Sequence, residues 1–336
     1  MIPMEPVTGP AVWNASDIAR RSDWKVQFEP AAAKELPSLL EYCRANPVSE
    51  QVGAERFPAL HRQMQSIRND LLHGAGFALL RGFPVEQYPT SAVEALFLAL
   101  GKLVGKPISQ NSYGDVLGHV RDEGKRITTV GETKGVRGYL SNEKLLFHTD
   151  LGDAVGLLCI KQAKEGGMSS MSSSMSVYNE ILASRPDLLP PLFNGFLLRS
   201  TEADGVPVEW RLPVYSYDNG VLSCAIRRAM IETSRLNGVP YTSQENEALE
   251  YLDAVAARPD LRYDMKMEPG DIQFLNNYVT FHSRTEFVDF EELEQKRHML
   301  RLWLQFPGGR AHMAKYPVLY DGVPATLVRE QKLAMS

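Results

Sequence analysis

Residues 296–306 read KRHMLRLWLQF. Successive side chains of a β-strand point to opposite faces. Arg297, Met299, Arg301 and Trp303 therefore share one face, and His298, Leu300, Leu302 and Leu304 the other. Both faces are largely apolar, which predicts a strand buried on both sides. Such a strand lies between layers. Two arginines on it need anionic partners, because a buried unpaired charge is costly. The partner is either a structural Asp or Glu, or a small-molecule carboxylate held by a guanidinium fork.

Similar short strand patterns surround this one: KLLFHTD, GLLCIKQA, FLLRS, LPVYSY, GVLSCAI, DIQFLNN and VTFHSR. An earlier buried strand, GFALLRGFP, ends at Gly82 and Pro84. Helical periodicity dominates the first 75 residues, in AAAKELPSLLEYCRA and FPALHRQMQSIRNDLLHG. SAVEALFLALGKLVG predicts a helix with Ser91 as N-cap, and SQENEALEYLDAVAA one with Ser243 as cap. Strands without βαβ alternation, and with helices gathered early, predict a mainly β protein with flanking helices, an α+β fold. The pattern suggests a β-sandwich or a jelly roll with a helical flank. The expected layout is one catalytic domain over 1–336. It comprises a helical flank (1–75), a jelly-roll core (76–306) and a C-terminal extension (307–336). Residues 106–143 are rich in Gly, Asn, Ser and Asp and read as a lid loop.

The chain has 336 residues, a formal net charge of −5 and 44% hydrophobic residues. It has no long basic run, so nucleic acid is not an expected partner. No stretch approaches a membrane-spanning length of apolar residues. The N-terminal sequence lacks the pattern of a signal peptide. Three scattered cysteines, Cys43, Cys159 and Cys224, suit neither a disulfide framework nor a thiolate metal site. The expected location is cytoplasmic, the expected partner a small-molecule substrate, and a homo-oligomer is left open.

The chemistry begins at LLFHTDLGDA, residues 145–154. His148 and Asp150 are one residue apart and can point to one spot on a strand face. Alone, the pair equally describes a strand-end imidazole beside a turn aspartate. His61 and His73 sit in a flanking helix pattern and read as surface residues. His282 lies far downstream in VTFHSR, after the turn Pro269-Gly270-Asp271. A late-strand His beside an early His-x-Asp would close a facial triad, which suits non-haem Fe(II) with open positions. A satisfied core histidine is the plainer reading of His282.

The ordered set FHTD, EGGMS, GDIQFLNN, FHSR and KRHMLRLWL, over about residues 75–306, resembles the taurine dioxygenase family of Fe(II)- and 2-oxoglutarate-dependent oxygenases. The resemblance implies a double-stranded β-helix (jelly roll, cupin-like) core. It implies Fe(II) on His148, Asp150 and His282, with 2-oxoglutarate and O2 as co-substrates. It implies Arg297 on the far carboxylate of 2-oxoglutarate, assisted by Ser169 where Thr is more usual. It implies Arg301 as a substrate contact. Lys144 stands where the family's best-known pattern has a substrate-binding Asn, and points away from taurine toward another substrate, with an anionic group for Lys144 and Arg301 to meet. Asn111 and Tyr113 are further candidate substrate contacts from the loop. Asp150 occupies the position that halogenases on this scaffold leave to chloride, so hydroxylation is favoured. The implied activity is oxidation of an unactivated C–H bond of a small organic substrate, releasing succinate and CO2. The alternative is a metal-binding cupin-like isomerase or a non-oxygenase binding protein.

Overall fold

The computed structural model describes residues 2–46, 52–124, 140–201, 207–307 and 321–326. In chain order the strands are Lys25–Gln27 (β1), Phe77–Arg81 (β2), Lys106–Ile108 (β3), Leu117–Val120 (β4), Leu145–His148 (β5) and Ala154–Lys161 (β6). Glu165–Gly166 (β7), Ser169–Ser173 (β8), Phe196–Thr201 (β9), Pro207–Leu212 (β10), Tyr215–Asp218 (β11) and Val221–Cys224 (β12) follow. The last are Arg262–Met265 (β13), Ile272–Asn276 (β14), Thr280–Arg284 (β15), Phe287–Val288 (β16) and His298–Gln305 (β17). The helices are Ala15–Arg20 (α1), Pro30–Ala45 (α2), Pro58–His73 (α3), Thr90–Val104 (α4), Ser174–Ser184 (α5), Leu189–Asn194 (α6), Arg228–Leu236 (α7) and Ser243–Ala256 (α8).

The larger sheet runs β1-β2-β14-β6-β17-β3, with β4 also paired to β17. The smaller runs β13-β8-β15-β5. Only β1 and β2 pair in parallel within the larger sheet; its other pairings are antiparallel. Between the sheets lies an apolar layer: Phe77, Leu79, Val155, Cys159, Leu275, Met299 and Trp303 from one, Met171 and Met265 from the other. Leu300, Leu302 and Leu304 point the opposite way and pack with α2, α3 and α4. Every residue of β17 is buried, as its two apolar faces require. Gly101 permits this packing, since a Cβ there would overlap Leu302. Phe281 and Val279 turn outward from the small sheet onto a third cluster that includes α5, α6 and α8.

Several local expectations need correction. Ser91 lies inside α4, whose N-cap is Pro89. Ser243 is the first residue of α8, and Thr242 is its cap. Thr242 Oγ1 accepts the Glu245 N–H at 3.1 Å while Glu245 Oε2 accepts the Thr242 N–H at 2.8 Å. This reciprocal pair satisfies two otherwise orphaned donors, and a serine one position later cannot do so. The span 106–143 is not all loop. β3 and β4 are drawn from it by backbone pairing with β17, which a weakly apolar sequence does not advertise. Residues 125–139 of that span, His312 and most of 307–336 lie outside the described residues. The low-complexity run MSSMSSSMS contains β8, a mostly buried strand. The hydroxyls of β8 find partners, for example Ser172 Oγ donating to Ala256 O at 2.6 Å, which lets these serines stand in a core; Ser174 Oγ, just after the strand, is buried without one among the described residues. Among the described residues, no helix is long and apolar enough to cross a membrane.

Candidate active site

The ladder between β5 and β15 sets His148 directly opposite His282. Directly opposed residues share a sheet face, and the two rings lie 4.3 Å apart between centroids. β5 ends at His148, so Asp150 belongs to the following turn rather than to the strand. The turn is nevertheless fixed. Asn277 Oδ1 accepts the Asp150 N–H at 3.1 Å, and Asn277 Nδ2 donates to Leu151 O and Gly152 O at 3.2 and 3.1 Å. Gly152 has φ +76°, and a Cβ there would lie 2.8 Å from Leu304 O, so this close approach needs glycine. Arg227 Nη1 donates to Thr149 O at 2.6 Å from the other side.

Three ligand atoms, one each from His148, Asp150 and His282, lie within 4.8 Å of one another. Asp150 Oδ2 is 3.6 Å from His282 Nε2, and Asp150 Oδ1 is 3.4 Å from Arg301 Nη1. His148 Nδ1 is 2.8 Å from Leu146 O. A carbonyl can only accept, so Nδ1 carries the proton and Nε2 keeps its lone pair. Burial, then the neighbouring His282, pushes the His148 imidazole down to about 3. Burial works against the Asp150 charge, but Arg301 and then the His282 hydrogen bond hold this carboxyl well below the usual carboxylate range. His282 Nδ1 is buried with no hydrogen-bond partner among the described residues. Neutral imidazole and ionised carboxylate are the ligand forms a divalent ion requires. Two His and one carboxylate fit Fe(II).

Arg297 and Arg301 leave β17 on the face toward this cluster. Arg301 Nε donates to Gln110 Oε1 at 2.8 Å, and its guanidinium lies 4.6 Å from the Trp303 ring centroid. Gln110 Nε2 in turn donates to Arg301 O at 2.8 Å. Arg301 is therefore tied to Asp150 and Gln110. Arg297 is buried, and burial lowers its pKa. Its Nη1 has no partner among the described residues. Beside it lies a cavity lined by Gly167, Ser169, Cys159, Met267 and Met299. Ser169 Oγ donates to Gln273 Oε1 at 2.8 Å.

The remaining sequence candidates are more peripheral. Lys144 is exposed just before β5 and Leu146 within it; a register shift between the Leu145–Arg284 and His148–His282 pairs breaks the alternation that would carry Lys144 to the His148 face. Asn111 Oδ1 accepts the Tyr113 and Asp115 N–H groups at 3.0 and 3.2 Å, and Asn111 Nδ2 donates to Asp115 Oδ2 at 2.9 Å. That side chain is spent inside its own loop, and Tyr113 is exposed. Sequence reading missed Gln110, Asn277 and Arg284. Only Arg284 had a signal, being two residues after His282 in a strand and so on the same face. Burial and then Arg297 push Arg284 down to about 9.

Residues 44–303 match the family model described as taurine catabolism dioxygenase TauD, TfdA family. The FR-33289 synthase of Streptomyces rubellomurinus (strain ATCC 31215) is 32% identical over 319 residues, 91% of this chain and 92% of its own length. A taurine hydroxylase-like protein of Stachybotrys chartarum is 29% identical over 258 residues, 74% of this chain and 65% of its own length. Asparagine oxygenase in complex with Fe(II), 2S,3S-3-hydroxyasparagine and succinate has a TM-score of 0.58 at 19% identity, covering 84% of this chain and 93% of that one. The non-haem iron oxygenase OrfP with Fe, succinate and (3S)-hydroxy-L-Arg has a TM-score of 0.59 at 14% identity, covering 84% and 94%. These two likenesses are of fold.

Proposed function

The chain belongs to the taurine catabolism dioxygenase TauD, TfdA family, and on that premise we propose which of its residues carry the reaction. It is an Fe(II)- and 2-oxoglutarate-dependent dioxygenase that hydroxylates a small organic substrate. Family membership sets aside the isomerase and binding-protein alternatives. The two facing sheets support a double-stranded β-helix core within a single catalytic domain, and the absence of a spanning helix among the described residues is compatible with a cytoplasmic location.

His148, Asp150 and His282 would hold the iron. When bound, Fe(II) supplies the oxidising chemistry by which O2 converts 2-oxoglutarate to succinate and CO2 and a substrate C–H to C–OH. The protein's part is positional. The Leu146 carbonyl fixes the His148 tautomer, leaving Nε2 as the donor. Arg301 and Asn277 hold Asp150 ionised and turned inward. Arg297 takes the far carboxylate of 2-oxoglutarate, and Ser169 assists after its hydroxyl turns from Gln273. The apolar layer of Met171, Met299 and Trp303 keeps the interior dry.

Arg301 is committed to Asp150, which weakens its reading as a substrate contact and makes it a positioning residue. Lys144, exposed just before β5 and separated from His148 by a register shift, is the proposed substrate contact, with Asn111 and Tyr113 secondary. The hydroxylated amino acids bound by structures of this fold support an amino-acid-sized polar substrate. An anionic group on it would suit Lys144.

The observation that carries the assignment is three converging ligand atoms on one side of an inner layer that also holds an unpaired buried arginine. The test is anaerobic addition of Fe(II) and 2-oxoglutarate, expected to give a visible charge-transfer band. Succinate release over a substrate panel then identifies the substrate class. No band in the wild-type protein, or an unchanged band in His148→Ala, would overturn the ligand assignment.

A further inference from the structure

Arg284 is the buried cation that the reading above leaves without a task. It follows His282 by two residues on β15 and so shares its face. Across the ladder it stands opposite Ser169 of β8, so these two also share a face. One nitrogen, Nη2, donates to Ser141 O at 2.7 Å and also to Glu143 O. The others, Nε and Nη1, are buried and have no partner among the described residues. Arg297 Nη1 is in the same condition. The two guanidinium groups flank one aromatic ring, their carbons 4.8 and 5.2 Å from the Phe287 centroid. Neither forms an ion pair within 4 Å among the described residues. Asp289 and Asp122 act on Arg297 and Arg284, respectively, without forming ion pairs with them, and Asp289 Oδ1 accepts the Arg297 backbone N–H at 2.7 Å. Gly167 leaves room, since a Cβ there would lie 3.2 Å from Arg297 Nε.

Two arginines, 6% and 7% exposed, thus point three unspent donors into the layer that holds Ser169. Buried like charges without a contacting ion-pair partner repel and are costly. One carboxylate bound between them relieves both at once. We propose that Arg284 and Arg297 form a two-guanidinium cradle for the far carboxylate of 2-oxoglutarate, so that Arg284 is a second co-substrate-binding residue. The proposal rests on the assignment of Arg297 to that carboxylate. It also gives the site a chemical selectivity: a 2-oxo acid ending in a methyl group leaves two buried cations unpaired and is rejected far more strongly than loss of one contact would predict.

The experiment compares 2-oxoglutarate with 2-oxopentanoate, which has the same chain length and a methyl in place of the far carboxylate. Each is titrated anaerobically into Fe(II)-loaded full-length protein, reading both the charge-transfer absorbance and the rise in melting temperature. In Arg284→Met, 2-oxoglutarate affinity is expected to fall about ten- to a hundredfold, as for one lost charge-assisted pair, with 2-oxopentanoate affinity unchanged. Equal weakening of both ligands, or of neither, would reduce Arg284 to a clamp on Ser141 and Glu143 and overturn the proposal. Arg284→Lys keeps a cation and donors for those two carbonyls, and covers the case in which the Met variant does not fold. Its expected preference for 2-oxoglutarate is intermediate, and a preference equal to wild type also overturns the proposal. Arg297→Met separates the two levels. If it too leaves the preference intact, the parent assignment of Arg297 fails; if it abolishes the preference while Arg284→Met does not, only the cradle fails.

Discussion

Two arginines, one just before β17 and one at its middle, stand in opposite conditions. Arg297 and Arg301 are four residues apart, point from the same face and are 7% and 8% exposed. At the Arg301 end the guanidinium is bound by Gln110 and Asp150. At the Arg297 end a buried nitrogen has no partner among the described residues, and a second incompletely paired arginine stands nearby. Buried polar groups in folded proteins are nearly always satisfied. A satisfied arginine beside a functional group positions that group. An unsatisfied one stores a demand that an incoming anion meets. Under the proposed assignment, the contrast divides the inner layer into a preassembled end that would hold the metal and an end that a ligand would complete.

The harshest way to break this division is His282→Ala, which removes a ligand from the preassembled end. Iron binding and succinate formation should both fall below detection, measured as bound iron after anaerobic reconstitution and as product; retained iron would show that the cluster is ornamental. Next come matched changes at the two arginines. Arg301→Met leaves the Asp150 carboxylate buried without its cation, and is expected to cost about 3–5 kcal/mol of stability. Arg297→Met removes a buried charge that makes no side-chain ion pair within 4 Å among the described residues, so the ligand-free protein should lose far less stability, while 2-oxoglutarate binding weakens about ten- to a hundredfold. Denaturant melts and ligand titrations of the two variants side by side decide it; equal destabilisation would erase the distinction. A smaller effect is expected for Gln110→Leu, which loosens Arg301 and through it Asp150: roughly tenfold weaker iron affinity, at the low end for outer partners of a metal ligand.

The smallest effect concerns pH. His298, next to Arg297 but facing the other way, is pushed down to about 3 by burial, then by Arg121 and His119. Its folded pKa lies below the unfolded value, so the unfolded chain takes up the proton first. The stability it contributes is present above about pH 6.5 and is lost as pH falls toward 3, by up to ~1.4 kcal/mol per pH unit. His148 acts in the same sense in the metal-free protein. His298→Gln should remove one of these two contributions and flatten the acid limb of a stability-versus-pH curve. An unchanged limb would show that His298 is not desolvated as described.

Much of this was legible in the chain. Alternation in KRHMLRLWLQF announced a strand covered on both faces, and β17 is that strand. The order of FHTD, FHSR and KRHMLRLWL pointed to the family, which the match over 44–303 shows. Helices α2, α3, α4 and α8 carried their periodicity openly, though two of their caps did not. The serine run of β8 was illegible because its burial depends on hydroxyl partners such as Ala256 O and Asp264, 84 and 94 residues away in the chain.

The sequence by itself determined which side chains share a face, because a strand's period of two is a local property. It therefore placed Arg297 with Arg301; the same rule puts Arg284 with His282, a pairing that was overlooked. Only the tertiary structure decided what those faces meet. Gln110 and Asp150 reach Arg301 from 191 and 151 residues away, and no local pattern encodes so distant a contact. Whether a buried charge is answered by the protein is a property of packing, and packing bound Arg301 to Asp150 and Gln110 while leaving Arg297 Nη1 without a partner among the described residues.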